Sequence, residues 1–230
     1  AIIWLQTASM FIFGINEFAS RIPSLLASIG LLIVLYKLFK EYKIDDRITF
    51  PLLFAFSISY DFSFIATQGT TDALFCFLGT YVMLLAHQNK KGHEISAGVL
   101  TALALLTKSI AAFWIPVMYV ITFLLQKKFN LKLMLRYFAS FALIATPWFV
   151  FMYIRFGNVF IERHFLFNLM GGAENGQNFA PPQWYLIYML DMWKPLIFFA
   201  PLIMYVCVEK ILKNDRTLFV PLWWFFSILI

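Results

Sequence analysis

Apolar runs separated by short polar hinges fill this chain of 230 residues, and thirteen of its 18 Lys and Arg residues fall in every second group of hinges. The four basic hinges hold Lys37, Lys40, Lys43 and Arg47; Lys90 and Lys91; Lys127, Lys128, Lys132 and Arg136; and Lys210, Lys213 and Arg216. Short membrane loops retain Lys and Arg on the cytoplasmic side, so the alternation assigns these hinges to the cytoplasm and the intervening ones to the opposite face. That opposite face keeps Arg21, Lys108, Arg155, Arg163 and Lys194, with Glu17, Asp61, Asp72, Glu162, Glu174 and Asp191. Charges that are not needed to retain a loop are the first candidates for chemistry.

Composition narrows the class. Hydrophobic residues make up 62% of the chain and charged residues 13%, with 28 Phe. No soluble core of this size hides so much apolar surface, so the fold class is all-α, a polytopic transmembrane helical bundle. The net charge of +6 lies on one face of that bundle, where anionic headgroups of the lipid bilayer balance it; no nucleic-acid partner is expected. Cys76 and Cys207 fall inside apolar spans and read as packing thiols rather than a disulfide or a metal pair.

A helix needs about 20 apolar residues to cross a bilayer. Spans are expected near residues 22–39, 48–67, 70–87, 94–107, 110–126, 134–154 and 195–208, with another from 217. The opening stretch AIIWLQTASMFIFG is too short to span and carries Gln6, Thr7 and Ser9, so residues 1–16 are assigned to an interfacial helix on the non-cytoplasmic surface. The whole chain then forms one membrane-embedded domain: this helix, transmembrane helices over 22–154, a long non-cytoplasmic loop over 155–194, and further transmembrane helices over 195–230. The loop contains GGAENGQNFAPP, whose Gly, Asn and Pro mark irregular backbone; loops of this length commonly act as lids or binding elements. No paired broken helices of the transporter type are apparent. The chain opens on Ala1 and closes within an apolar run, and it is read as part of a longer protein.

Asp72, in TQGTTDALFCF, has two readings: a first-turn acid that satisfies free N–H groups and the helix dipole, or the first-ranked acid of a site at the membrane edge. Lys108, in ALLTKSIAAF, either snorkels to headgroups or binds a phosphate. It stands where positive charge is scarce and needs a compensating anion, which a lipid phosphate would supply. Glu162, Arg163 and His164 are adjacent and cannot all face one ligand; Arg163 with His164 could bind an anionic headgroup, and ordinary interfacial anchoring is the competing reading. Trp148, Trp184, Tyr185, Tyr188 and Trp193 gather near the same boundary, as aromatic belts do.

In order, FGINEFASRIPSLLAS, GTTDALFCFL, ALLTKS, ATPWFVF, FIERHFLFN and APPQWYL resemble the bacterial protein O-mannosyltransferase and aminoarabinose transferase group of polyprenyl-phosphate-sugar glycosyltransferases, with the GT-C fold. The resemblance implies an inverting transfer of a sugar from a polyprenyl-phosphate carrier to a protein, lipid or glycan acceptor at the outer face of the inner, cytoplasmic membrane. It matches Asp72 to the acid at the start of a cavity-lining helix, Lys108 to a Lys that contacts the carrier phosphate, His164 to a His of the long loop, and Arg21 to an Arg after the juxtamembrane helix. Some related enzymes bind a divalent cation and others do not, so the cofactor is left open. The family's essential Asp, often followed by Glu, belongs to a loop ahead of Ala1 and is absent from this sequence. Ser109 stands where the family usually has Gly, and Lys194-Pro195-Leu196 where many members have Leu-Pro-Trp. A membrane transporter or lipid flippase is the alternative; it would bury charge near the bilayer midplane instead of at one boundary.

Overall fold

The structure is a computed structural model that describes residues 2–162 and His164. Among the described residues every regular element is helical. The order is α1 (Ile2–Phe13), α2 (Glu17–Glu41), α3 (Asp46–Ser57), α4 (Tyr60–Thr67), α5 (Thr71–Gln88), α6 (His93–Lys108), a 3-10 turn (Ser109–Phe113), α7 (Trp114–Leu125), α8 (Leu131–Phe156) and α9 (Asn158–Ile161). The expected spans at 195–208 and from 217, Cys207, Arg163 and nearly all of the 155–194 loop lie outside the described residues.

Local chemistry explains where the helices begin. The Asn16 side chain accepts the Ala19 N–H at 2.7 Å and opens α2, with Glu17 in its first turn. Asp45 and Asn130 do the same for α3 and α8. Each cap satisfies an N–H group that the helix itself leaves unbonded.

Among the described residues two helices, α2 with 25 residues and α8 with 26, are long and apolar enough to cross a membrane. The expected span at 48–67 is not one helix: α3 and α4 meet at a bend of 62°. Ser57 and Ser59 donate their hydroxyls to Phe54 O and Phe56 O, both at 2.7 Å, and such bonds compete with the helical ladder. The break has one copy among the described residues. Its apolar exterior fits lipid: Leu26, Phe54, Leu143 and Ile154 all project outward from the bundle. Cys76 is exposed too, so it is not the core-packing thiol expected from its apolar surroundings.

The core lies between α5, α6, α7 and α8. Leu74, Leu78 and Val82 of α5 pack with Ala97 and Leu105 of α6, Tyr119 and Phe123 of α7, and Tyr137 of α8. The rings of Tyr119 and Tyr137 stack at 3.9 Å, and the Tyr137 hydroxyl shares a 2.9 Å hydrogen bond with Thr101. Gly98 brings α6 against α8: a β-carbon there would lie 2.3 Å from Tyr137 O and 2.0 Å from Ser140 Oγ.

Candidate functional site

Asp72 and Lys108 meet because α5 and α6 form a hairpin with arms of nearly equal length. Asn89 and Gly92, both with positive φ, make its turn. At a rise of about 1.5 Å per residue, Asp72 stands about 24 Å from the end of α5 and Lys108 about 23 Å from the start of α6. The antiparallel arms therefore return both side chains to one level.

There the Lys108 ammonium donates to Asp72 Oδ1 and forms an ion pair. The arrangement also suits the helix dipoles, with an anion in the first turn of α5 and a cation in the last turn of α6. The anion expected to balance Lys108 is thus a carboxylate of the same chain, which sequence reading had assigned to a lipid phosphate. With the Lys108 side chain 42% exposed and that of Asp72 36%, the pair is a surface ion pair, worth about 0–1 kcal/mol to stability. An ammonium carries three donors, so a second anion can join without expelling the first. Lys108 Nζ also lies 5.8 Å from the centre of the Phe75 ring.

Ser109, next along the chain, was not expected as a site residue beyond its departure from Gly. Its hydroxyl shares a 2.8 Å hydrogen bond with His164 Nε2. The His164 ring also stacks on Phe160 and meets Phe149 edge-on. Ser109 has φ +48° and ψ −122°, a backbone conformation that glycine adopts without cost and other residues rarely take. The departure from Gly therefore adds backbone strain and gains a hydroxyl that holds the imidazole.

Burial holds the His164 imidazole below its ordinary value, which is about 6.5. Protonation is then harder in the folded chain than in the unfolded one, so this group costs stability as pH falls through about 6.5 and costs none above it. In the full-length protein, isotope-labelled His164 should titrate by NMR with a midpoint below about 6.5; a higher midpoint would mean that a nearby anion outweighs burial.

Arg21 pairs with Glu17 at 2.7 Å on its own helix. The start of α2 is nonetheless tied to the start of α5, because Ser24 Oγ donates to Thr70 O at 3.1 Å. Gln6 of α1 completes the rim by donating to Gly69 O at 2.8 Å and Ser20 O at 3.2 Å. Gly69 holds a left-handed backbone at φ +67°, and a β-carbon there would crowd Ser20 O at 3.2 Å. Asp72, Lys108 and His164 thus come together at one end of the bundle, Arg21 stands on an adjoining helix, and Arg163 lies outside the described residues. No three of His, Cys, Asp and Glu converge among the described residues, so these residues do not by themselves make a metal centre.

Over 237 aligned residues the chain is 28% identical to an uncharacterized protein of Aquifex aeolicus (strain VF5), with 99% of this chain and 52% of that protein covered. The chain therefore spans about half the length of that relative. No solved structure matches it. The dolichyl-phosphate-mannose-protein mannosyltransferase family matches residues 1–153, a stretch that contains α1 to α7, most of α8 and the Asp72–Lys108 pair. On that match the chain belongs to the dolichyl-phosphate-mannose-protein mannosyltransferase family.

Proposed function

We propose that the chain carries the donor-binding part of an inverting, GT-C-type membrane glycosyltransferase, which moves a sugar from a polyprenyl-phosphate carrier to an acceptor at the outer face of the cytoplasmic membrane. The observation that carries this reading is the Asp72–Lys108 pair at the bundle end, within the stretch that matches the family. The acceptor hydroxyl oxygen attacks the anomeric carbon as the bond from that carbon to the phosphate oxygen breaks. Its electron pair leaves with the polyprenyl phosphate. The acceptor's proton passes to a carboxylate base, which this reading assigns to a residue outside this sequence.

Charge grows on the phosphate oxygens as that bond breaks, and a fixed cation beside them stabilises it. Lys108 supplies the cation, and Asp72 holds its ammonium in position. Ser109 and His164 border the same place, and Arg21 and Arg163 are assigned to the carrier's anionic groups. The test is turnover by the full-length protein on polyprenyl-phosphate sugars, read as release of polyprenyl phosphate and as product anomeric configuration. Inverted product is expected; retained configuration would overturn the mechanism. Movement of the lipid-linked sugar across liposomes without bond cleavage would favour the flippase reading.

Sidedness has its own test. A reporter fused just after Phe156 should be active only outside the cytoplasm, because the basic hinges lie at the other end of α8. Cytoplasmic activity would reverse the orientation and remove the outer-face assignment.

A further inference from the structure

At the end of the bundle opposite Asp72 and Lys108, the turn between α5 and α6 faces the start of α8 across a cleft of about 190 Å³. Lys90, Lys91, Lys132 and Arg136 line it, together with Glu94 and Asn130. At about 30 Å³ per water, the space holds a phosphate group with part of its ester. Loop retention explains why these lysines are on this side of a membrane; it does not require cations from two separate turns to converge on one cleft.

Glu94 would oppose an anion if it were free. It is buried, and both its oxygens are engaged: Oε1 accepts from Arg136 Nη1 at 3.1 Å and Oε2 from the Gly92 N–H at 2.9 Å. Pairing offsets the cost of burying that carboxylate and anchors the Arg136 guanidinium at the cleft. Among the described residues the ammonium groups of Lys90, Lys91 and Lys132 enter no ion pair. Both α6 and α8 also start at the cleft, adding the positive ends of two helix dipoles.

We infer that this cleft binds a phosphate ester, with the headgroup of an anionic phospholipid as the source nearest to hand in a membrane. The site is separate from the Asp72–Lys108 pair and stands whether or not the transfer reaction does. Basic pockets between membrane helices recognise such headgroups through fixed ammonium and guanidinium groups.

The test uses delipidated full-length protein in neutral detergent, titrated with phosphatidylglycerol, phosphatidylcholine or inorganic phosphate and read by native mass spectrometry and thermal shift. Three proteins are compared: the natural chain, Lys90→Gln/Lys91→Gln/Lys132→Gln, and a reference with the same charge removed from other basic hinges, Lys37→Gln/Lys43→Gln/Lys128→Gln. The natural chain and the reference should prefer phosphatidylglycerol over phosphatidylcholine, and the cleft variant should bind phosphatidylglycerol roughly 10- to 100-fold more weakly. Inorganic phosphate that binds the natural chain and displaces the lipid would support the site with a soluble source. Equal weakening in both variants, or no anion binding by the natural chain, would overturn the inference, since bulk charge would then account for everything.

Discussion

Lys108→Ala in the full-length protein is expected to lower sugar transfer by about 10²–10³-fold, the usual loss when one fixed stabiliser of a developing oxyanion is removed. Expression and melting should barely change, because the Asp72–Lys108 pair is solvent-accessible on both sides and such pairs add little to stability. That contrast separates a chemical role from a structural one. Asp72→Asn serves as the partner experiment. If Asp72 acts by positioning the ammonium, its replacement costs activity in the natural chain and adds nothing in the Lys108→Ala background. Full additivity would mean that Asp72 touches the substrate independently, and normal turnover by Lys108→Ala would remove Lys108 from the site.

Gly98→Ala should have the largest effect on stability. Its new methyl would have to occupy space 2.3 Å from Tyr137 O and 2.0 Å from Ser140 Oγ. The serine side chain can rotate away, but the carbonyl belongs to the backbone of a 26-residue helix. Overpacking of this kind costs about 1–3 kcal/mol, occasionally more, and in a protein of this size should lower the melting midpoint by roughly 2–12 °C. Ser140→Ala should not rescue it, because the carbonyl clash remains. The separation of α6 from α8 also sets where Ser109 stands relative to His164, so activity should fall with the midpoint. An unchanged midpoint would show that the helices slide apart without cost.

Part of the bundle could be read from residues. The spans expected at 22–39 and 134–154 fall within α2 and α8, and an alternation of charge that holds at each successive hinge puts Asp72 and Lys108 at the same level. The family likeness added a reason to look at that level. What escaped was whatever depends on partners distant in the chain or on local competition. Asp72 and Lys108 are 36 positions apart and Ser109 and His164 are 55 apart, and nothing in either segment announces the other. The α3–α4 break was hidden because Phe-rich sequence continues through it with no Pro or Gly at residues 57–60; its cause is hydroxyl bonding by Ser57 and Ser59. Gln6 looked like the polar spot of a surface helix, and in fact its amide reaches two backbone carbonyls.

That amide has a mechanical meaning. Because Gln6 grips Ser20 and Gly69 at once, α1 cannot swing outward without releasing both the head of α2 and the strand of backbone that leads into Asp72. A displacement of α1 therefore tugs on the acid side of the Lys108 pair, so the seating of the first helix bears on the place where the ammonium is aimed.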